Sequence, residues 1–317
     1  MPRARISRRA EAIELVLPAT SANLGPAFDA AALAFGLYLK VKAAPAQTFS
    51  VSARGRDAEI CGQTENHLIL ETYREVLQDE NRPIVPLALS INNQMPIGKG
   101  CGSSAAARLA GIALAVHFGK LNWEDSQIVG EASRREHHPD NAAACWIGGL
   151  TVARMSGAAE TQAIRVSPKG KWPLLFAVPE QALATEEARR VLPSHYSRAD
   201  AVTNIQNSML LLAALVQGRA EMLQFALKDR IHQPYRGPLC PLLPALEESV
   251  GKSGILGVAL SGAGPSVLMF LDPRISPVRI RAAVASDLKR RKLSAQLFLT
   301  EIAMKGARDY FDRKRRK

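Results

Sequence analysis

No C-x-x-C pair occurs in the chain. Its four cysteines, Cys61, Cys101, Cys145 and Cys240, stand far apart. Neither the spacing of a zinc site nor a disulfide framework is present, so reduced, mostly buried thiols are expected. Also missing is an uninterrupted apolar run of about 18 residues, the length that a membrane-crossing helix needs. The opening MPRARISRRAEAIELVL is basic but reaches a strand-like segment too soon for a signal peptide. A cytoplasmic location without membrane association is the expectation. Aromatic residues make up only 5% of the chain, and no basic stretch is interleaved with them. A base-stacking surface would require that interleaving, so nucleic acid is not the expected partner.

What the chain does have is size, apolar content and positive charge. Its 317 residues, 47% of them hydrophobic, can fill two ordinary cores at roughly 150 residues per domain. The formal net charge of +12 lies partly at the ends, in Arg3, Arg5, Arg8 and Arg9 and in the final DRKRRK. The remainder suits an anionic small substrate.

Strand-like segments read as IELVL (13–17), GLYLKVKA (36–43), TFSVSAR (48–54) and PLALSIN (86–92), with helical spacing over 66–78. Helices follow at 103–118 and 123–136, and a strand at LTVAR. From about residue 172 the pattern restarts with PLLFAV, helices near 185–191, 198–215, 218–229 and 239–250, and strands around GVALSGAGPSVLMFL. A helix near 276–289 and a strand at AQLFLT complete it. The seam falls at 160–172, where SPKGKWP reads as connector, giving domains 1–165 and 166–317.

PIGKGCGSSAAA (96–107) places Gly98, Gly100 and Gly102 at alternate positions just before a helix. Such glycines let several backbone N–H groups approach one anion, and the helix N-terminus adds its partial positive charge. The loop is expected to hold phosphate. Ser103 and Ser104 can donate hydroxyls or ligate Mg²⁺, and as serines they can equally cap the helix. A Walker loop is excluded, because the one G-K-S, Gly251-Lys252-Ser253, has Leu246 where the first glycine belongs. Neither H-R-D nor D-F-G occurs, which excludes the protein-kinase set. A Rossmann loop would need its third glycine where Ser103 stands.

PIGKGCGSSAAA resembles the phosphate loop of the galactokinase, homoserine kinase, mevalonate kinase and phosphomevalonate kinase (GHMP kinase) family, P-x-x-x-G-L-G-S-S-A. LPATSANLGPAFDA (17–30) resembles the family's N-terminal motif and LSGAGPSVLMF (260–270) its C-terminal glycine motif. HHPDN (137–141), TEEARRVLP (185–193) and DRIHQPYR (229–236) are similar to the homoserine kinase branch. The resemblance implies an α+β fold. Its N-terminal domain would be like the second domain of ribosomal protein S5 and its C-terminal domain ferredoxin-like, with ATP and substrate bound between them. It also implies Mg²⁺, L-homoserine as the small-molecule substrate, a place in threonine biosynthesis and a homodimer.

Carried onto this sequence, the resemblance gives Pro96, Ile97, Gly98, Lys99, Gly100, Cys101, Gly102, Ser103 and Ser104 to ATP, with Asn66 on the nucleotide side. Metal would sit at Ser104 and Glu136, with Glu131 as the fallback carboxylate. Arg189 and Arg236 match carboxylate-binding arginines. Asn23, Asp29, His138 and Asn141 match substrate-facing positions, with Asp29 accepting from an ammonium and Asn23 orienting the hydroxyl. Asn141 stands where mevalonate kinases carry an aspartate, and it cannot usefully accept a proton; transfer would then rest on alignment and charge. Lys99 could add charge to transfer, and Thr185 is either a hydrogen-bond donor there or a helix N-cap.

Three departures bear on substrate preference: Ala27 and His137 stand where the family carries glycine, and Cys101 where it carries leucine. Two other readings stay open, a related kinase for another hydroxylated substrate and a non-catalytic nucleotide- or metabolite-binding regulator.

Overall fold

Alternating burial turns LALSINN into β4 (Leu87–Asn93), with Leu87, Leu89, Ile91 and Asn93 facing inward. The computed structural model describes residues 12–157 and 160–311; the basic ends therefore lie outside the described residues. Around β4, the first sheet contains β1 (Ile13–Ala22), β2 (Ala31–Pro45), β3 (Ser50–Gly55), β5 (Leu150–Met155) and β6 (Thr161–Val166). Its order is β3-β4-β2-β5-β6, and β1 also pairs with β2. Every pairing in it is antiparallel except β3 with β4. The second sheet has the order β10-β7-β9-β8, from β7 (Pro173–Val178), β8 (Ile255–Leu260), β9 (Val267–Leu271) and β10 (Gln296–Glu301).

Helices α1 (Ala58–Cys61), α2 (Leu68–Asp79), α3 (Ser103–Phe118), α4 (Asp125–Glu136) and α5 (Asp140–Ile147) accompany the first sheet. Helix α3 is buried along most of its length, from Ala105 to Phe118. Small residues make that possible: Gly111 lets α2 approach so closely that a Cβ would stand 2.6 Å from the carbonyl oxygen of Ile69.

With the second sheet come α6 (Thr185–Arg190), α7 (Arg198–Gln217), α8 (Leu223–Ala226), α9 (Gln233–Arg236), α10 (Leu242–Glu247) and α11 (Pro277–Arg290), while α12 (Arg308–Phe311) packs back on β1 and α5 of the first. Among the described residues, α7 is the one helix with the length and mean hydropathy, 1.2, to cross a membrane. Its Leu211, Ala214 and Leu215 belong to the main core. That core runs through both sheets, and Phe35 of β2 stacks on Phe176 of β7 with ring centroids 4.8 Å apart. After β10 the chain returns to the first sheet. Ile302 bridges to Phe35, and Phe311 packs 5.5 Å from Trp146 of α5.

The expected α+β architecture is the one observed, with local differences. β2 starts five residues earlier than its pattern suggested, because AALAF is buried on both faces and shows no alternation. β6 fills part of the expected connector: it is a mostly exposed strand whose one buried residue is Thr161, so its sequence reads as polar linker. The helix expected over 218–229 is broken into a short 3₁₀ turn (Ala220–Met222) and α8. α1 and α5 went unread, being four and eight residues long.

Candidate active site

The loop between β4 and α3 folds back on itself through three left-handed glycines, with φ of 68° at Gly98, 77° at Gly100 and 67° at Gly102. Two of these positions admit nothing larger. A Cβ on Gly100 would lie 2.3 Å from the carbonyl oxygen of Ser261, and one on Gly102 would lie 1.9 Å from Thr20 Oγ1. The loop is pinned from below, with Thr20 N donating to Cys101 O at 3.1 Å and Ser261 Oγ to Gly100 O at 2.6 Å. Ser261, just before the 262–264 turn, therefore supports the loop, and Gly264 O also closes on Gly100, 3.0 Å from where its Cβ would stand. Helix α3 starts at Ser103 with Gly102 as its N-cap and no side-chain cap. Amides of its first turn have no intrahelical acceptor, and neither serine spends its hydroxyl on capping.

A cavity of about 410 Å³ opens beside this loop. Of the residues expected from the sequence, Asn23, Asp29, Asn66, Ile97, Gly98, Gly100, Cys101, Gly102, Ser103, Ser104, Glu136, His138, Asn141, Thr185, Arg189 and Arg236 line it. Apolar Leu39, Ile60, Leu68, Ile91 and Met95 line it as well. Burial pushes the Cys101 thiol up to about 12, so it serves as a neutral packing group.

Four expectations need correction. Pro96 does not line the cavity. Lys99 does not either, since its ammonium donates to the carbonyl oxygens of Pro179 at 3.0 Å and Glu180 at 2.7 Å. Glu131 is not available to a metal: Arg134 grips its carboxylate at 2.8 and 2.7 Å and Arg135 at 2.6 Å. Burial would raise its pKa, but these two arginines outweigh that and hold it low. Asn23 spends its amide inside the protein, with Nδ2 donating to Gly262 O at 2.8 Å and Oδ1 accepting from Asp29 N at 3.0 Å. It shapes the loop that carries Asp29 rather than reaching for a hydroxyl.

Thr185 is the first residue of α6, with Ala184 in the N-cap position, so the capping alternative is removed. Ala27 is absent from the residues with positive φ and is unstrained. His137, by contrast, takes the left-handed conformation, φ 65°, at the C-cap of α4, where glycine is at home.

At one end of the cavity, α3 and α4 bring Ser104 Oγ to 2.6 Å from Glu136 Oε1. A hydroxyl and a carboxylate on a cavity wall are the hard oxygen donors that Mg²⁺ takes, so the residues fit that ion. Arg108 Nε reaches the same oxygen at 2.7 Å, a partner the sequence reading missed although it stands one helical turn after Ser104.

Two guanidiniums gather at the other end. Arg189 pairs with both oxygens of Asp29, at 3.1 and 2.7 Å. Arg236 is 1% exposed; its Nε donates to Ala188 O at 2.9 Å and Nη1 to Gly262 O at 3.3 Å. Burial, and then the nearby Arg189, lower its pKa to about 10, which leaves it charged at neutral pH. Phe28 lies under both arginines, 5.5 and 5.2 Å from its ring centre, and its neighbour Asp29 was the only signal for it.

Between the two ends, Thr20 Oγ1 donates to Asn141 Oδ1 at 2.6 Å, and Asp140 Oδ1 accepts from Asn141 N at 2.6 Å and faces His138 Nδ1 at 2.8 Å. Burial works against a charged His138, but the hydrogen bond and charge of Asp140, with Asp29 and Glu136 further off, outweigh it and raise its pKa. Asp29, His138 and Asp140 each bring one possible ligand atom within 4.8 Å of the others. Arg189 takes one lone pair on each Asp29 oxygen and the His138–Asp140 pair is closed on itself, so Asp29 keeps acceptor capacity for a donor while the three do not present a free ligand set.

A glycine loop at a helix N-terminus, facing a cationic pocket across one cavity, is the layout of a small-molecule phosphotransferase. The model of the GHMP kinases N terminal domain matches residues 67–149 and that of the GHMP kinases C terminal domain residues 211–290. The chain belongs to the GHMP kinase family. It is 44% identical to the homoserine kinase of Solibacter usitatus over 260 residues, 81% of this chain and 84% of that one. With the homoserine kinase of Deinococcus radiodurans it shares 35% identity over 280 residues, 88% of this chain and 91% of that one. The crystal structure of homoserine kinase from Cytophaga hutchinsonii shares the fold, with a TM-score of 0.79 at 21% identity, covering 96% of this chain and 99% of that one. Within the family, the chain falls in the homoserine kinase branch.

Proposed function

We propose that the protein transfers the γ-phosphate of ATP to the side-chain hydroxyl of L-homoserine, giving O-phospho-L-homoserine for threonine biosynthesis. The observation that carries this reading is the acceptor end of the cavity, where Arg189, Arg236 and Asp29 stand together. Two cations and one anion complement an amino acid, whose carboxylate and ammonium need opposite partners. Mevalonate or a sugar has no ammonium for Asp29 to receive.

The amides of 98–103 would hold the triphosphate, with the base toward Asn66 and the apolar wall. Ser104 and Glu136 would hold Mg²⁺, which offsets phosphate charge during transfer. Asn141 has its oxygen engaged by Thr20 and points one Nδ2 hydrogen at Asp140 Oδ1, 3.3 Å away, so the second Nδ2 hydrogen is the donor left to orient the acceptor hydroxyl. That hydroxyl oxygen bonds to the γ-phosphorus as the bond to the bridging oxygen of ADP breaks. Its proton passes late to the transferred phosphoryl group, since Asn141 is no base. Thr185, which lines the cavity, would be a further donor to the moving phosphate.

We also assign residues 1–165 to the nucleotide-binding domain, 166–317 to the second, the location to the cytoplasm, and the assembly to a homodimer. The exposed apolar stripe of α7, Val202, Ile205, Met209 and Val216, supports the last point. A coupled ADP-release assay with homoserine, other hydroxylated amino acids, mevalonate and galactose tests the activity. Homoserine should give the highest kcat/KM. ATP binding without turnover on any of them would favour a regulator, and preference for a substrate lacking the amino-acid head group would overturn the acceptor assignment.

A further inference from the structure

The carboxylate offered to Mg²⁺ is already neutralised from behind. Glu136 Oε1 accepts from both Ser104 Oγ and Arg108 Nε, at 2.6 and 2.7 Å, while Oε2 makes no hydrogen bond among the described residues. Side chains of Glu136 and Arg108 are only 11% and 25% exposed, so water screens the pair little. Arg108 follows Ser104 by four positions on α3, which sets both on one helix face, and helical side chains lean toward the N-terminus. The guanidinium therefore reaches up behind the carboxylate. It does not line the cavity, so a ligand entering there need not displace it.

We infer that Arg108 makes the Ser104–Glu136 pair selective for a metal already bound to a triphosphate over the free divalent ion. The inference rests on the reading that this pair receives Mg²⁺. A free ion must shed water to meet a carboxylate already paired with a guanidinium whose Nε lies 2.7 Å from Oε1, and repulsion between the two cations outweighs what the ion gains. A metal–triphosphate complex carries net negative charge, and the same guanidinium attracts it. One residue thus disfavours the wrong species and favours the right one.

The test uses the full-length protein with Mn²⁺ as a paramagnetic probe, titrated with and without the non-hydrolysable analogue AMPPNP. Wild type should bind Mn²⁺ far more weakly without nucleotide than with it. R108Q should gain at least about tenfold in nucleotide-free Mn²⁺ affinity and lose about threefold in affinity for the analogue. R108K, which keeps the charge, should stay within about threefold of wild type in both. Unchanged or weaker nucleotide-free Mn²⁺ binding in a folded R108Q overturns the inference. So does a wild-type protein that binds Mn²⁺ equally well with and without AMPPNP, a measurement that needs no variant. E136Q separates the two levels: if it leaves Mn²⁺ binding in the AMPPNP complex intact, the metal assignment itself falls, and the Arg108 inference with it.

Discussion

The loop proposed to hold phosphate and the pocket proposed for the acceptor share one cavity but are built in opposite ways. Residues 97–104, Lys99 excepted, bring the loop to the cavity in one run, whereas the acceptor end draws Asp29, Arg189 and Arg236 from segments that meet only in the folded chain. Asp29 and Arg189, paired at 2.7 Å, lie 160 positions apart. A loop that binds through main-chain amides needs the right backbone, which local sequence dictates. A pocket that binds through side chains needs tertiary structure to bring them together.

If this contrast holds, the loop should fail through its backbone and the pocket through its charges. G102A should have the largest effect, because the new methyl meets Thr20 Oγ1 and the residue sits at φ 67°. We expect about 2–4 kcal/mol loss of stability, read by chemical denaturation, together with loss of measurable AMPPNP binding. Arg236→Met comes next: kcat/KM for homoserine should fall about a hundredfold or more while nucleotide affinity changes less than about twofold. Equal loss of both would show that the two ends do not work separately.

Thr20 sharpens the comparison because it joins the loop to the middle of the cavity, filling the space under Gly102 and fixing the oxygen of Asn141. Thr20→Val should lower kcat about tenfold with little change in the ATP KM, and Thr20→Ser should restore it. A fall in ATP affinity alone would make Thr20 part of the loop instead. The smallest effect is expected at His137, outside both ends. His137→Gly relieves the left-handed strain and should raise stability by about 0.5–1 kcal/mol, seen in thermal melts, with kinetic constants unaltered.

The same contrast explains what the sequence shows. The bounds of α3, and the phosphate role proposed for 98–104, follow from glycine spacing and an alanine-rich run, both local signals. Asp29, Arg189 and Arg236 were reached through family likeness, since nothing in their own neighbourhoods separates them from surface charges. Lys99 misled because proximity in sequence to a phosphate loop does not fix where a long side chain points; it turns to the carbonyls of 179 and 180. Arg108 and Thr20 stayed hidden because their roles are exerted through Glu136 and Asn141, and no composition rule marks such second-hand contacts.

The return of the chain after β10 has a consequence for synthesis on the ribosome. Trp146 and the end of α5, which carries Asn141, are covered by Ala307 and Phe311 near the far terminus. A nascent polypeptide therefore leaves the tunnel with its first sheet still open at that seam. A premature stop anywhere before residue 302 would expose the indole, so an amino-terminal fragment cut at the 167–172 connector should be a client for chaperones rather than a usable nucleotide binder.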